Sequence, residues 1–386
     1  MKVVHVCGVP LPPQHPDALR LHKQFHPGHW VLDLARAQKA HTSLQPELLV
    51  NVPGSLTDFE AEWDGIPVHY LRCPAKYRAK TLLFYETSRL AARLRRLQPD
   101  IVHAHGTEGA HVLAAQRSGL PYVVTAQGLY GIINSLLKLP WWHRQKVIEF
   151  LEWRALSRAR HVIAKSAYIA EKLQQLYPHL VLHRIPNTFD PAIAALPSLP
   201  RKKNKLIFVG TLDERKGLDL VLEALPRIQG VQEDVSLQVI GAGRGGSDYI
   251  RKVEAGLVGL MGSRCEFSGR LPHLEVARAI ASAAVLVAPS REEMFGNQVI
   301  EALLVGTPCV VSSETAMAEN IHRFGNGHVF QNGHAADLAE KVLAVLASGS
   351  TPEAKSAQGK IVDYMAPERV AAAHLDVYRT ILHGHP

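Results

Sequence analysis

Cysteine is scarce and scattered. Cys7, Cys73, Cys265 and Cys309 are the only four in 386 residues; all fall in strand-like runs and none forms a Cys-x-x-Cys pair. That spacing argues against a disulfide framework and against a zinc knuckle, and it fits a reducing compartment. Long apolar runs are missing as well, since no stretch approaches the ~20 residues of a bilayer-spanning helix. The opening "MKVVHVCGVP" has one early Lys and a short apolar run, but it leads into a Pro-rich loop with no cleavage site. It reads as a first strand, and a cytoplasmic protein is expected. Repeats and low-complexity tracts are absent too.

What is present is an ordinary globular composition, 47% hydrophobic and 20% charged, at a length that suits two domains. The net charge of +8 is uneven. Residues 1–190 hold 23 Lys and Arg against 14 Asp and Glu, and residues 191–386 hold 20 against 21. Short β-branched runs alternate with helical stretches, the pattern of parallel sheets with crossover helices. In the first half "KVVHVC", "ELLVNV", "IPVHYL", "DIVHAH", "PYVVTA" and "RHVIAK" are the expected strands. In the second they are "KLIFVG", "SLQVIG", "CEFSG", "AVLVAPS", "PCVVSS" and "HVF". The fold class is therefore α/β, two doubly wound parallel-sheet domains facing across a cleft. The expected boundaries are a first domain at 1–190, a Pro-rich linker at 191–204, a second domain at 205–365, and a helix at 366–386 returning to the first.

Two stretches of the second half carry chemistry. After "KLIFVG", "TLDERKG" leads into a helix near Leu218, so Arg215 and Lys216 sit at a helix N-terminus, where cations, backbone amides and the helix dipole suit phosphate oxygens. A solvated basic turn is the bland alternative. In "SREEMFGNQVIEALLVGTPCVV", Glu293 precedes a helix and Glu301 lies one turn after Asn297. The two carboxylates suit vicinal hydroxyls, while the amides of Phe295, Gly296 and Asn297 are expected to face an anion. A diphosphate flanked by two polyols answers both needs; a pair of surface glutamates is the bland alternative and the favourite for any random Glu pair.

"VGTLDERKGLDLVLEAL" followed by "APSREEMFGNQVIEALLVGTPCVVSS" resembles the donor half of retaining glycosyltransferase family 4, a GT-B fold of two Rossmann-like domains. "DIVHAHG", "VIAKSAYIAEKL" and "RIPNTFDP" extend the resemblance over nearly the whole chain. It implies a sugar moved from a nucleotide diphosphate, UDP or GDP, to a hydroxyl of a saccharide or lipid-linked acceptor in envelope or exopolysaccharide synthesis. Arg215 and Lys216 would neutralise the leaving diphosphate beside Gly210, with no metal and no cofactor. Glu301 would bind the ribose, Glu293 the transferred sugar, and the backbone of Arg270 and Leu271 the base. Gly28 would precede the first helix on the acceptor side, with His105 at a nearby strand end. No Asp-x-Asp occurs to bridge a metal to the diphosphate. Two departures stand out. Gln127 replaces the family's usual His, and its amide could bind a sugar hydroxyl or set its carbonyl near developing positive charge, but it cannot take a proton. Thr211 replaces the usual Arg.

Other signals compete. "GAGRGG", Gly241 to Gly246, matches a dinucleotide fingerprint but follows the second strand of its domain; with Tyr168 and Lys172 in "YIAEK" it keeps an NAD-dependent sugar oxidoreductase or epimerase as the enzymatic rival. A two-lobed sugar-binding protein is the non-catalytic one. His103 and His105 share a strand face with His111 following, and no further ligands complete a metal site. The basic helix with Arg89, Arg93, Arg95 and Arg96, and "LPWWHRQK" with Trp141 and Trp142, are candidates for peripheral contact with anionic lipid at the inner face of a membrane. Nucleic acid is not an expected partner, because no reader motif accompanies the charge.

Overall fold

The computed structural model describes the whole chain except residues 10, 12–14, 16–27, 53–56, 75–80, 139–142, 244–247, 350–351 and 385–386, with backbone alone at 144 and 352–355. It divides into two compact units, Met1–Thr188 with Met365–Pro386, and Phe189–Tyr364.

The first unit contains β1 (Lys2–Cys7), α1 (His29–His41), β2 (Gln45–Val52), β3 (Phe59–Trp63), β4 (Ile66–Arg72), α2 (Phe84–Leu97), β5 (Ile101–His105), α3 (Ala110–Ser118), β6 (Tyr122–Thr125), α4 (Tyr130–Leu136), α5 (Arg144–Leu156), β7 (His161–Ala164), α6 (Ala167–Leu176) and β8 (Val181–Arg184). Its last helix is α15 (Pro367–His383). The sheet order is β3-β4-β2-β1-β5-β6-β7-β8. Val3, Val4, Val6 and Cys7 of β1 are all fully buried, as a strand covered on both faces requires. The chain leaves β1 toward one edge and returns on its other side at β5, so the topological switch point lies between these two strands. Val370, Val377 and Tyr378 of α15 join the core around Val3, Ile101 and Ile163.

Sequence periodicity assigns no strand to Phe59–Trp63 or to Val181–Arg184, and both are strands. β3 pairs antiparallel with β4, so this sheet is not wholly parallel. Asp64 (φ 51°) and Gly65 (φ 72°) close that hairpin in a two-residue turn that needs left-handed backbone at both positions.

The second unit runs α7 (Pro191–Ala194), β9 (Lys205–Val209), α8 (Leu218–Gln229), β10 (Ser236–Ile240), α9 (Asp248–Met261), β11 (Cys265–Gly269), α10 (His273–Ala281), β12 (Val285–Ala288), α11 (Asn297–Leu304), β13 (Cys309–Ser312), α12 (Ala316–Phe324), β14 (Gly327–Phe330), α13 (Ala335–Ser348) and α14 (Pro352–Tyr364). Its six strands are ordered β11-β10-β9-β12-β13-β14 with every pair parallel, which puts the switch point between β9 and β12. The expected linker at 191–204 is instead part of this unit. Asp190 caps α7 through the Ala192 amide (2.9 Å) with Pro191 at the first helical position, and Lys202 N donates to Ser282 O (3.0 Å). Pro191 initiates a short helix there, while Pro197 and Pro200 lie in irregular chain. Among the described residues no helix is long and apolar enough to cross a membrane.

Candidate functional site

The loops that follow the neighbouring strands β9 and β12 meet at the second unit's switch point. Asp213 Oδ1 accepts from Lys216 N (3.1 Å) and caps the turn Glu214–Lys216. Gly217 follows at φ 71°, and a Cβ there would lie 2.2 Å from Pro289 O, so this crossing of the two loops admits only glycine. That approach brings the side chains together. Lys216 Nζ donates to Glu293 Oε2, Arg215 Nη1 lies 3.8 Å from the same oxygen, and Arg215 Nη1 donates to Glu292 O (3.0 Å). The aliphatic part of Lys216 lies across Gly210. The three charged side chains are 22, 11 and 14% exposed for Arg215, Lys216 and Glu293, close enough to solvent for a ligand to reach them.

The turn bearing Glu293 is pinned from several sides. Glu293 O accepts from Ala316 N (2.9 Å), Asn320 Nδ2 donates to Phe295 O (3.3 Å), and Met294 and Phe295 are buried. Phe295 therefore serves the core with its ring, and any ligand contact falls to its backbone. Gly296, at φ 80°, precedes α11, which begins at Asn297. Glu301, one turn into α11, pairs through Oε1 with His273 Nε2 (2.8 Å), the first residue of α10, three positions after Arg270 and two after Leu271. The structure thus joins Arg215, Lys216 and Glu293 directly, and ties Glu301 to the segment following Arg270 and Leu271.

Sequence reasoning missed Asp219 and Arg291. Arg291 grips Asp219 with two hydrogen bonds (2.9 and 2.5 Å) and also donates to Glu214 O (2.6 Å), while Tyr249 OH donates to Asp219 Oδ1 (2.8 Å). Burial pushes the Asp219 carboxyl up, but the bonds from Arg291 and Tyr249 outweigh it and hold the group below the usual range. An acid in a helix's first turn was a visible signal; its partner 72 residues away was not. "GAGRGG" is described only to Gly243, and Arg244, Gly245 and Gly246 lie outside the described residues.

In the first unit the switch point is lined by histidine. His5, on β1, faces His103 across the β1–β5 pair and joins the expected His103 and His105; all three are buried. Gln38 Nε2 donates to Tyr378 OH (3.0 Å), which turns its Oε1 toward His5 Nε2 (2.8 Å). His5 therefore carries its proton on Nε2 and accepts at Nδ1, so His105 must donate from Nε2 across 2.9 Å. Tyr378 OH in turn donates to His103 Nδ1 (2.7 Å), and His103 Nε2 donates to Thr125 Oγ1 (2.6 Å). His105 Nδ1 is left as a buried lone pair without a partner among the described residues. Burial lowers every imidazole here: His5 and His374 fall to about 4, and His103 and His105 fall well below 6.5. Three of these imidazoles place nitrogens within 4.8 Å of one another, a spacing a metal could use. Hydrogen bonds already engage both nitrogens of His5 and of His103 and one of His105, so five of the six ring nitrogens serve a polar core and only His105 Nδ1 is left over.

Gly28 sits where a Cβ would be 1.9 Å from Gly8 O, so α1 can start against the loop after β1 only with glycine there. Gln127, two residues beyond β6, has its carbonyl engaged by a cation. Lys165 Nζ donates to Gln127 Oε1 (2.6 Å), and Nε2 is buried without a partner among the described residues. Glu152, also unforeseen, accepts from Thr107 Oγ1 (2.6 Å) and Tyr130 N (2.8 Å); burial raises its carboxyl to about 7. Trp30, His105, Thr125, Lys165, Asn187 and His374 line a cavity of ≈ 10 Å³, about one water molecule's space. The Tyr168 and Lys172 pair is a cation–π contact, with Nζ 5.5 Å from the ring. Arg89 pairs with Asp58 and Arg93 with Glu60, so two of the four α2 cations expected to meet lipid are neutralised. Trp141 and Trp142 lie outside the described residues.

Residues 28–193 match the family described as Glycosyltransferase Family 4, and residues 203–348 match Glycosyl transferases group 1. The phosphatidyl-myo-inositol mannosyltransferase of Mycobacterium leprae is 32% identical over 204 residues, 51% of this chain and 53% of that protein, so the match spans about half of that relative's length. The 2-deoxystreptamine glucosyltransferase of Streptomyces kanamyceticus is 25% identical over 91% of this chain and 98% of its own. HepE of Anabaena, solved in complex with UDP-glucose, superposes with a TM-score of 0.71 at 16% identity over 98% of this chain and 100% of that one. The fold is GT-B.

Proposed function

We propose a function from the premise that this chain belongs to glycosyltransferase family 4: it transfers a sugar from a nucleoside diphosphate, UDP or GDP, to a hydroxyl acceptor. The observation that carries the reading is the convergence of Arg215, Lys216 and Glu293 at the β9–β12 switch point, with the Glu301–His273 pair beside the β11–α10 loop. The diphosphate takes over the Lys216 ammonium, and Glu293 turns to hydroxyls of the sugar. Glu301 accepts from the ribose and the Arg270–Leu271 backbone meets the base. Two cations and the backbone amides of Phe295, Gly296 and Asn297 supply the charge stabilisation without a metal. Configuration is retained: the sugar's anomeric carbon loses its bond to the phosphate oxygen and gains one to the acceptor oxygen on the same face. The departing phosphate receives the acceptor's proton, so no protein base is required, in keeping with Gln127. The acceptor lies against the first unit, at Gly28 and His105.

The acceptor is a saccharide or lipid-linked saccharide of envelope, exopolysaccharide or glycolipid synthesis, and the protein works in the cytoplasm at the membrane's inner face. Support for lipid contact comes from α5, where Val147, Phe150 and Trp153 are 42, 55 and 54% exposed on one face beside Arg154 and Arg158. Of that helix's carboxylates, Glu149 is bonded to Lys146 and Glu152 is buried, so the outward face suits anionic headgroups. A thermal-shift panel of UDP, GDP, ADP and their sugars tests the donor reading; stabilisation by a diphosphate but not by NAD is expected, and no shift with any nucleotide on folded protein contradicts it.

A further inference from the structure

We propose that Lys165 is a positioning residue that locks the Gln127 amide by its Oε1, so that Nε2 is kept as a neutral hydrogen-bond donor for the first unit's ligand, on the strand end next to the one that carries the His105 lone pair. The inference rests on the glycosyl-transfer reading and deepens it by assigning the group that meets the acceptor sugar. Lys165 follows β7 directly, Gln127 lies two residues beyond β6, and His105 ends β5. These three strands are hydrogen-bonded neighbours, so all three residues cluster at the carboxyl ends where open α/β sheets bind ligands.

The orientation follows from donor chemistry. An ammonium has three donors and no acceptor, so at 2.6 Å it can face only the amide oxygen. Rotating the amide would set N–H against N–H. Lys165 is itself held, 7% exposed and with Nζ 5.8 Å from the Trp30 ring centroid. Among the described residues, Gln127 Nε2 is then a buried donor without a partner, and His105 Nδ1 is a buried acceptor without one. Such atoms are costly to leave unmet unless a ligand or water meets them. The imidazoles of His5, His103 and His374 add no charge to contest this, because burial lowers all three below the usual range. A neutral donor and a neutral acceptor on neighbouring strand ends suit a hydroxylated ligand, because a hydroxyl both accepts and donates.

Steady-state kinetics on the full chain test it, with a nucleotide sugar that the protein turns over and its released diphosphate as readout. Gln127→Glu is isosteric and keeps the Lys165 contact, yet replaces the donor with an acceptor. A fall in kcat of about 10–100-fold with unchanged nucleotide Kd is expected. Lys165→Met releases the amide and lowers kcat similarly, Lys165→Arg restores most of it, and Lys165→Met adds little on top of Gln127→Ala. Full activity of Gln127→Glu, or losses that multiply in the double variant, overturns the proposal while leaving glycosyl transfer standing. A folded wild-type protein that neither binds nor cleaves any nucleotide sugar overturns the functional reading and this inference with it.

Discussion

At the switch point between β1 and β5, buried imidazoles exchange hydrogen bonds and stay uncharged. At the corresponding point between β9 and β12, Arg215, Lys216 and Glu293 are partly exposed and charged. The strand order around both points is the same, so topology does not decide the difference. Burial does: a fully enclosed imidazole loses hydration that no partner replaces, while a paired charge near solvent keeps most of its own. The consequence is a division of labour, with the second unit suited to a dianionic diphosphate and the first to neutral hydroxyls.

The largest expected effect removes the charge. Lys216→Ala should lower turnover by about 10²–10³-fold, the scale of losing one donor at a developing anion, while the melting temperature stays near wild type. Next comes Glu301→Ala, which should weaken nucleotide binding by about 10–100-fold in calorimetry, with a smaller loss for His273→Ala because histidine only orients the carboxylate. On the neutral side the test is pH. His5 and His374, depressed to about 4, stabilise the fold fully above ~6.5 and lose that contribution as pH falls toward 4, so urea titrations should show stability dropping across that window. Glu152, raised to about 7, acts the other way: the folded state holds the proton longer, and stability falls as pH climbs from ~4.5 to 7. Glu152→Gln should therefore compare better with wild type at pH 8 than at pH 5. The smallest effect concerns the lipid face, where replacing Phe150 and Trp153 with Ser should reduce co-sedimentation with anionic vesicles a few-fold and leave hydrolysis of a soluble donor unchanged.

Much of this contrast was legible in the sequence. Arg215 and Lys216 before a helix, Gly28 before α1, and the two glutamates around "MFGN" are local signals, and the buried strands announce themselves by unbroken apolar runs. The Asp64–Gly65 turn between alternating residues was equally local, yet β3 was overlooked because one short edge strand carries little hydrophobic weight. Other features could not be read at all. Lys165 with Gln127, Asp219 with Arg291, and His5 with Gln38 and Tyr378 pair residues 33 to 340 positions apart, and only strand order brings them together. The run at 191–204 groups with the second unit, and of its prolines Pro191 starts a short helix, which a count of prolines does not reveal.

The central claim is that the β9–β12 switch point binds a nucleoside diphosphate through paired cations. Calorimetric titration of UDP and GDP into wild type and Lys216→Ala, with EDTA present, tests it most directly. One-site binding that survives the chelator and weakens at least tenfold in the variant is predicted; equal affinities in the two proteins, or binding that EDTA abolishes, would contradict it.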